Sequence, residues 1–418
     1  MTTGSIDHQL SIAFKESYGR ILSSLIKFCG DFELAEDCLQ EAMAKAVQEV
    51  RSGRDIQNMV AWLTLVAKNK IIDHARRSQR VTQFENMESL DAFESPADFD
   101  SGAEALGDEM HDERLTLIFT CCHPAIDEKV RVALTLKTVC GLNTDQIASA
   151  YLTNEKTMAQ RIVRAKRKIK SAGIPFAVPP ENLLEERVQG VLRVIYLIFN
   201  EGYFSSHSKE LVSNHLCEEA IFLGTLVCKL MPNQIEAVGL LALMYFHHSR
   251  IEARTDRDGG LVKMEDQNRS IWNRNEIATA DKLLKGALMK GQAGPYQIQA
   301  AISAVHAHSK SFSDTDWKQI VLLYRRLLEL EPSPVVQINL AVALSYGEDP
   351  ETGLKYLESI KGLDKLKTYH PYHATKAALL EKTGDVGGAL DAYQEALKLC
   401  SNQVEINYFQ ERISTLSN

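Results

Sequence analysis

The sequence lacks the segments that carry a protein into or across a membrane. No apolar run approaches the roughly 18 residues needed to span a bilayer, and Met1 to Leu10 lacks the basic-then-apolar layout of a secretory signal. Among 418 residues there is no excess of Gly or Pro, and 45% of the residues are hydrophobic. We therefore expect a cytoplasmic protein without a membrane partner, built from about two to four folded domains.

Paired cysteines and regular metal-ligand spacings are also missing. The eight cysteines are scattered without a C-x-x-C pair, which favours reduced and mostly buried thiols over a disulfide or zinc framework. Three short clusters carry ligand types, namely Cys121-Cys122-His123, His247-His248 and His306-x-His308, but none has the spacing of a closed zinc site. The sequence predicts no metal and no cofactor.

Motifs that carry catalysis are absent as well. There is no phosphate-binding P-loop, no G-x-S-x-G elbow, no H-E-x-x-H and no G-x-G-x-x-G after a strand. The polar stretch that begins at Asp256 could hold a metal loop, but an EF-hand requires Gly at its sixth position and Glu at its twelfth, where Leu261 and Gln267 stand. A turn that joins helices is favoured there, and we predict that the protein is not an enzyme.

The charge of the chain is unevenly distributed. A net charge of -8 and a pI of about 5.9 exclude a protein that coats nucleic acid by bulk electrostatics. Residues 85–113 carry eleven acidic residues and no Lys or Arg, which predicts a flexible acidic linker. Residues 161–170 carry six Lys and Arg and no acid, which suits phosphate binding, although such cations also complement the end of a helix.

Apolar residues return every three or four positions from end to end, with almost no alternating strand pattern. The predicted fold class is all-α. A second break at residues 173–180 contains Gly173 and three prolines and ends a basic helix. The predicted segments are a first helical domain at 1–84, the linker at 85–113, a second helical domain at 114–174 and a helical extension at 175–418.

The second domain has the layout of a helix-turn-helix. Thr144 can cap a short helix, a turn falls near Leu152 to Asn154, and a longer helix runs from Glu155 to Lys170. Five apolar residues are expected to pack the two helices together, namely Ile147, Ala148, Met158, Ile162 and Ala165. The residues expected to face DNA are Lys156, Thr157, Gln160, Arg161, Arg164 and Lys168. The alternative is a plain packing unit that binds no DNA.

The first domain has its own basic helix, from Trp62 to Arg77, which suits single-stranded DNA. Asn69 can hydrogen-bond the edge of an extruded base, and the neighbouring cations can follow a phosphate backbone. The candidate DNA-binding residues are Trp62, Lys68, Asn69, Lys70, Arg76, Arg77 and Arg80. For Trp62 a place in the core is the favoured alternative.

Three blocks, Phe32 to Ala46, Trp62 to Arg77 and Arg131 to Lys170, resemble in order and spacing the σ2 and σ4 domains of extracytoplasmic-function sigma factors of the sigma-70 family. The resemblance implies that σ2 binds the β′ clamp of core RNA polymerase through Asp37, Gln40 and Glu41 and reads the -10 element. It also implies that σ4 binds the β flap and reads the -35 element. The first block alone is compatible with an ordinary amphipathic helix, and the linker with either a nucleic-acid mimic or a simple tether.

The extension carries weak repeats. From Gly384 the chain resembles the second half of a tetratricopeptide repeat, and Tyr324, Leu357 and Tyr393 follow each other at 33 and 36 residues. Weaker copies include Ala220, Gly224, Val227, Leu327, Leu340, Ala341, Leu344 and Gly353. Stacked helix pairs of this kind serve either as a concave protein-binding face or as a scaffold.

Nearly the whole chain resembles one subgroup of these sigma factors, in which a tetratricopeptide-like extension stands in for an anti-sigma factor. Segments that carry this resemblance include Ile195 to Tyr203, Leu240 to Arg250 and Gly294 to Ala307. It implies a factor that directs promoter recognition and transcription initiation, with an extension that contacts σ2, σ4 or polymerase. The alternatives are a stand-alone helix-turn-helix regulator with a repeat-based sensor and a tetratricopeptide adaptor protein.

Overall fold

The computed structural model describes residues 17–54, 56, 58–77, 113–150, 153–203, 214–256, 260–291, 293–360, 368–400 and 402–417. The chain forms two compact units, Met1–Val194 and Ile195–Asn418. In the described ranges the regular structure is helical apart from one isolated antiparallel bridge between Thr255 and Leu261. The prediction of an all-α protein is confirmed. None of the helices in these ranges is long and apolar enough to cross a membrane.

The N-terminal unit begins with a helix at 17–29, here α1. The helices that follow are α2 (Phe32–Arg51), α3 (Met59–Arg77), α4 (Arg114–Cys121), α5 (Glu128–Thr138), α6 (Thr144–Ala150), α7 (Glu155–Ser171) and α8 (Glu181–Tyr203). Helix α8 continues into the C-terminal unit, and its residues up to Val194 belong to the N-terminal one.

Helix α8 starts on the second helical domain. Arg187 donates from Nη2 to the carbonyl of Phe119 at 2.8 Å, and Arg193 pairs with Glu128 at 2.7 Å. The two compact units divide at 194/195, and the domain boundary at 174/175 stays a prediction. Prolines mark the end of the preceding helix, but packing decides where the compact unit ends.

Local sequence explains where the functional helices begin. Gly30 adopts a φ of 66°, which ends α1, and the side chain of Asp31 then accepts from the backbone amides of Glu33 and Leu34 at 3.0 and 3.2 Å. Asn154 caps α7 in the same way, accepting from the amide of Thr157 at 2.7 Å. These two caps set the directions of the helices that carry the candidate site.

Helix α6 begins one residue earlier than predicted. Thr144 is its first helical residue, so Thr144 does not stand in the capping position. The amide of the preceding Asn143 donates to Oε1 of Gln146 at 2.9 Å, which satisfies one backbone group at the helix start. The long helix α7 begins at Glu155 as predicted.

The C-terminal unit continues α8 with paired helices. They are α9 (Asn214–Leu230), α10 (Ile235–His248), α11 (Arg274–Leu288), α12 (Pro295–His308), α13 (Trp317–Leu330), α14 (Pro334–Gly347), α15 (Pro350–Ser359), α16 (His370–Lys382), α17 (Val386–Leu399) and α18 (Gln403–Ser417). Neighbouring helices pack on each other, as expected of helical repeats. The repeat positions Leu357, Ala389, Tyr393 and Ala396 are all buried.

Small residues let these helices approach closely. A Cβ atom added to Gly353 would lie 2.6 Å from the carbonyl oxygen of Ala341, so only glycine fits between α15 and α14. Tyr393 is 1% exposed, and its hydroxyl donates to Glu381 at 3.1 Å. The repeat residues are therefore core positions, as the sequence predicted.

A cavity of about 460 Å³ lies beside this core, between the helices from α12 to α18 and the segment 263–265. Aromatic rings line it: Trp317 stacks on Tyr346 with ring centroids 4.5 Å apart, and the Lys382 ammonium lies 3.4 Å from the Tyr346 centroid. The cavity is an aromatic recess inside the repeat region, which the repeat pattern alone does not reveal.

Two arginines, one before and one within the polar stretch that begins at Asp256, hydrogen-bond to neighbouring helices. Residues 257–259 of this stretch lie outside the described residues. Arg269 donates from Nη1 to the carbonyls of His306 and Ser309 at 2.6 and 2.9 Å. Arg254 donates to the carbonyl of Tyr203 and lies 3.7 Å from the centroid of the same ring. This part of the chain acts as a hydrogen-bonded connection between helices, in agreement with the favoured turn.

Two half-buried histidines, His247 and His306, lie among these groups. Burial, with the charges of Arg250 and Arg254, holds the pKa of His247 well below its usual value. Burial, with the charges of Arg250 and Arg269, lowers the pKa of His306 to about 3. Both imidazoles are therefore neutral in the folded unit at pH values where an unfolded histidine is protonated.

We predict that acid destabilises the C-terminal unit through these histidines. An unfolded histidine takes up a proton below a pH of about 6.5, whereas the folded one does not. Each of the two histidines therefore lowers the free energy of unfolding by about 1.4 kcal/mol for every pH unit below that point. The imidazole of His306 packs against Trp317 with ring centroids 5.2 Å apart. In His306→Phe the phenyl ring should keep this packing, but it cannot take up a proton. Thermal unfolding between pH 7.5 and 5 should show a shallower loss of Tm than in the wild type.

The exposed His308 provides the control. His308→Gln should follow the wild-type dependence of Tm on pH, because its side chain is 53% exposed. Equal slopes in His306→Phe and wild type would contradict the assignment to His306.

Candidate nucleic-acid and polymerase interface

Helices α6 and α7 form the predicted helix-turn-helix. The five residues predicted to join the two helices are each at most 4% exposed, namely Ile147, Ala148, Met158, Ile162 and Ala165. Burial of this apolar set leaves the other side of α7 to solvent. The predicted packing is confirmed.

The exposed side of α7 carries the residues predicted to face DNA. Lys156, Gln160, Arg161, Arg164 and Lys168 are exposed, and Thr157 is half-buried beside its cap Asn154. The positions 157, 160, 161, 164 and 168 follow helical spacing and so share one face. This surface has the size and charge of a helix that enters a DNA groove.

Helix α3 carries the second predicted DNA surface. The consecutive residues Lys68, Asn69 and Lys70 are half-buried, and Arg76 is exposed. Lys68 lies 5.4 Å from the centroid of the Phe28 ring, and burial lowers the pKa of its ammonium. These side chains present a mixed amide and cationic surface to solvent.

Three of the residues predicted to bind the -10 element are either buried or lie outside the described residues. Trp62 is 1% exposed, so its ring belongs to the core of the first domain, as the favoured alternative expected, and offers no face to DNA. Arg77 is the last residue of α3, and its side chain lies outside the described residues, as does the whole of Arg80.

Helix α2 carries the residues assigned to polymerase. Asp37, Gln40 and Glu41 are exposed at spacings of three and four, which places them on one face of the helix. Glu41 pairs with Lys70 of α3 at 2.5 Å. The surface expected to bind polymerase is therefore continuous with the surface expected to bind DNA.

A buried carboxylate joins the two helical domains. Glu36 of α2 is 7% exposed and forms an ion pair with Lys166 of α7. Lys137 of α5 lies 3.7 Å from the same carboxylate, and the hydroxyl of Tyr18 donates to it at 3.3 Å. Burial, with the charge of Glu36, raises the pKa of Tyr18, so the phenol stays protonated and donates. We call these four residues the Glu36 cluster.

Further contacts surround the Glu36 cluster. Lys170 of α7 pairs with Asp31 at 2.9 Å, and Lys27 pairs with Glu113 at 2.6 Å. Burial alone would raise the pKa of Asp31, but its hydrogen bonds to Lys170 and to backbone amides outweigh that effect and lower the pKa. The two helical domains are therefore held together by charge as well as by packing.

Apolar packing completes this interface. A Cβ atom added to Gly19 would lie 2.4 Å from the carbonyl oxygen of Val139, so α1 and the end of α5 approach to backbone contact. Phe32 meets Phe176 edge to face, with centroids 6.4 Å apart. Such close approach indicates a specific contact between the domains.

Comparison with known proteins identifies these two domains. The family profile described as Sigma-70 region 2 matches residues 13–81, and the profile described as Sigma-70, region 4 matches residues 116–169. The chain is 30% identical over 163 residues to RNA polymerase sigma-H factor of Pseudomonas aeruginosa, an alignment that covers 38% of this chain and 82% of that protein. The chain belongs to the sigma-70 family of RNA polymerase sigma factors.

Further relatives define the type of sigma factor. The chain is 24% identical over 171 residues to a probable ECF RNA polymerase sigma factor, SigI of Mycobacterium tuberculosis, covering 41% of this chain and 58% of that protein. It is 38% identical over 420 residues to an uncharacterized protein of Rhizobium meliloti, covering 99% of this chain and 96% of that protein. Residues 187–288 match a family of unknown function, DUF6596. The chain is an ECF-like sigma factor with a C-terminal helical extension.

This sigma factor binds core RNA polymerase and promoter DNA and directs transcription initiation. The match of region 2 decides against the stand-alone helix-turn-helix regulator and the tetratricopeptide adaptor, because both leave the first domain without a role. The predicted family is confirmed.

The ion pairs in and around the Glu36 cluster reduce the number of cations that α7 can offer to DNA. Of the six cations at 161–170, Lys166 and Lys170 are engaged with carboxylates of the region 2 domain. The remaining four, Arg161, Arg164, Arg167 and Lys168, are exposed. The sequence pattern places Lys166 among the cations that suit phosphate binding and gives Glu36 no role, because a pair 130 residues apart leaves no local pattern.

The cysteine and histidine cluster beside α4 is structural. The thiols of Cys121 and Cys122 lie 3.0 and 3.6 Å from the hydroxyls of Thr138 and Thr135. Burial raises the pKa of Cys121 to about 12 and that of Cys122 to about 11. Both are protonated at neutral pH, which disfavours metal binding by these two residues.

We predict that Glu36→Lys separates the two sigma domains. The change places a third cation beside Lys166 and Lys137, and breaking a buried ion pair by loss of one partner costs about 3 to 5 kcal/mol. Hydrogen exchange measured by mass spectrometry on the full chain should be at least about tenfold faster at 31–39 and 162–171. The double variant Glu36→Lys, Lys166→Glu should recover part of the protection.

Glu33→Lys is the matched control, because Glu33 is an exposed carboxylate one turn before Glu36. It should leave exchange at both segments unchanged. Equal exchange in the Glu33 and Glu36 variants would show that the buried pair does not hold the domains together.

Proposed function

We propose that this sigma factor binds core RNA polymerase through α2 and reads the promoter with α3 and α7. The observation that supports this most directly is the exposure of polar faces on α2 and α7, together with half-buried polar residues on α3, at positions that the sigma resemblance assigns. Asp37, Gln40 and Glu41 would contact the β′ clamp, and region 4 would contact the β flap. Nucleotide addition remains the task of polymerase, so the subunit itself is not an enzyme.

Region 2 suits recognition of unpaired -10 bases. Asn69 offers both a donor and an acceptor to a base edge, and Lys68, Lys70 and Arg76 supply cations for the backbone beside it. Since Lys70 is 32% exposed and paired to Glu41, it would have to exchange one acidic partner for another when it meets phosphate. The basic surface of α3 can therefore bind DNA, although part of its charge is balanced by Glu41 in the free protein.

Region 4 suits recognition of double-stranded -35 DNA. Arginine binds guanine in the major groove with two hydrogen bonds and glutamine binds adenine in the same way, so Arg161, Arg164 and Gln160 are the strongest candidates for base contacts. Lys156, Thr157 and Lys168 would contact phosphates on either side. The N-terminal end of α7 would enter the groove first, as in other helix-turn-helix proteins.

The contact between the two domains would have to open on a promoter. Elements about 25 base pairs apart lie about 85 Å apart at 3.4 Å per base pair. Lys166 touches Glu36 and Glu41 touches Lys70, so Lys156 and Asn69 are separated by at most about 50 Å of helix rise and side-chain length. The closed N-terminal unit cannot reach both elements at once, and we propose that polymerase binding exchanges the Glu36 cluster for its own contacts.

The extension would regulate this exchange. The full-length likeness to the Rhizobium meliloti protein shows that sigma domains and extension occur together in one chain, and α8 begins on region 4 through Arg187 and Arg193. We propose that the protein acts in the cytoplasm, where polymerase and DNA meet.

Run-off transcription with purified core polymerase tests the proposal. The full chain should produce a transcript of defined length from a cognate promoter, whereas core polymerase alone should not. Failure to bind core polymerase in a gel-shift or gel-filtration assay would overturn the assignment of α2.

Asn69→Ala should impair promoter opening more than core binding. Loss of a base-edge contact is expected to cost about 1 to 3 kcal/mol, which lowers run-off yield by about 5-fold to 150-fold. Permanganate reactivity of unpaired thymines at the -10 element measures the opening directly. The control is His74→Ala, an exposed change five residues further along α3, which should leave both readouts unchanged.

Arg164→Ala should weaken holoenzyme binding to the -35 element. If Arg164 contacts a base, affinity falls by about 1 to 3 kcal/mol and discrimination at one base pair is lost; if it contacts phosphate, the salt slope falls by about one. Fluorescence anisotropy at several salt concentrations separates the two cases. Lys129→Ala, which removes an exposed cation from α5, should change neither quantity.

A further inference from the structure

Three metal-binding side chains converge in the C-terminal unit, at a place that no sequence motif marks. His370 is the first residue of α16, Cys400 directly follows α17, and Glu405 lies in the first turn of α18. One ligand atom from each lies within 4.8 Å of the others. We call these residues the His370 triad.

Two of the three distances within the His370 triad are close to the edges of a tetrahedral zinc site, and the third is at most 4.8 Å. Nε2 of His370 lies 3.2 Å from Oε2 of Glu405, and Sγ of Cys400 lies 3.5 Å from the same oxygen. Zinc bonds of about 2.1 Å to nitrogen and oxygen and about 2.3 Å to sulfur give tetrahedral edges of about 3.4 and 3.6 Å. The observed separations agree with those edges to about 0.2 Å, within the tolerance of a metal site.

The imidazole of His370 provides an independent indication. Its Nε2 is buried and forms no hydrogen bond of acceptable geometry, although a carboxylate oxygen lies only 3.2 Å away. Buried polar atoms are nearly always satisfied, and an unsatisfied one often marks the place of an ion or water. A nitrogen lone pair that is close to a carboxylate but badly aligned for a hydrogen bond is well placed for a shared cation.

A side-chain cap positions the helix turn that carries Glu405. Asn402 is 1% exposed, and its side chain accepts from the amides of Val404 and Glu405 at 2.9 and 3.3 Å, which fixes the first turn of α18. The side chains of His370 and Glu405 are 23% and 12% exposed, so the site is shielded and still open to solvent on one side. This leaves room for a water molecule as a fourth ligand.

We propose that the His370 triad is a zinc-class metal site, with Nε2 of His370, the thiolate of Cys400 and the carboxylate of Glu405 as ligands and water in the fourth position. A nitrogen, sulfur and oxygen donor set selects zinc over calcium or magnesium, which prefer oxygen alone. Binding converts the Cys400 thiol to a thiolate, and its proton passes to solvent. The two negative ligands then balance the charge of the ion.

The competing explanation is an ordinary ion pair between His370 and Glu405, with the Cys400 thiol donating a hydrogen bond to the same carboxylate at 3.5 Å. The nearby guanidinium of Arg254 interacts with the charge of Glu405, but it donates to the carbonyl of Tyr203. The ion pair would exist in the apo protein and would not bind metal. Metal titration therefore distinguishes the two explanations.

A bound ion would connect the start of α16 with the turn between α17 and α18. These helices form the last packed cluster of the repeat region, which includes Leu380, Tyr393 and Phe409. Because the ligands come from three separate helix ends, metal binding would stabilise the whole terminal part of the extension. The extension would then respond to metal supply independently of the proposed polymerase and DNA contacts.

The experiment uses the full chain, stripped of metal with a chelator, and titrates it with Zn²⁺ by isothermal titration calorimetry. One ion per chain should bind with sub-micromolar affinity and raise the Tm. Co²⁺ should give a thiolate-to-cobalt charge-transfer band in the near ultraviolet together with tetrahedral visible bands. A cobalt complex without the sulfur band would exclude Cys400 as a ligand and overturn the proposed site.

His370→Gln, Cys400→Ser and Glu405→Gln should each weaken Zn²⁺ binding by at least about tenfold while far-ultraviolet circular dichroism stays unchanged. Two controls retain the triad: Cys228→Ser removes a half-buried cysteine of α9, and Glu411→Gln removes an exposed carboxylate of α18. Both should bind Zn²⁺ like the wild type. Absence of saturable binding to the folded wild type, or binding that survives both His370→Gln and Glu405→Gln, would overturn the proposal.

Discussion

The N-terminal unit depends on one buried carboxylate. Glu36 is 7% exposed and is compensated by Lys166, Lys137 and the hydroxyl of Tyr18, which come from both helical domains. An unpaired charge in that position would cost several kcal/mol, so the domains must either stay together or expose the group to water. The buried pair therefore distinguishes a closed state, in which the two helical domains are in contact, from an open state, in which Glu36 is exposed to water.

This arrangement separates two uses of the basic helix α7. Lys166 and Lys170 face the carboxylates of region 2, while Arg161, Arg164 and Lys168 face solvent. The same helix can therefore hold the free protein closed and still present the surface proposed to bind DNA. In the proposed opening on a promoter, the loss of these contacts would be offset by contacts with polymerase.

The extension follows a different physical principle. Its repeats bury small and aromatic residues between consecutive helices, as Gly353, Ala389 and Tyr393 show, so its stability is distributed along the chain. Charged and titratable groups occur where helices must be joined by something other than apolar packing. Arg254 and Arg269 bind carbonyls of neighbouring segments, and the His370 triad joins three helix ends.

The sequence by itself determined the helical class, the helix-turn-helix, the residues packed within it and the sigma family. The helical class and the helix-turn-helix depend on local apolar periodicity, whereas the family depends on the resemblance of three blocks in order and spacing. Only the tertiary structure revealed the Glu36 cluster, the unit boundary at 194/195 and the His370 triad. Glu36 and Lys166 are 130 residues apart, and the triad spans 35, so neither leaves a short-range pattern. Folding brings such residues together through the packing of whole helices, which periodicity alone does not specify.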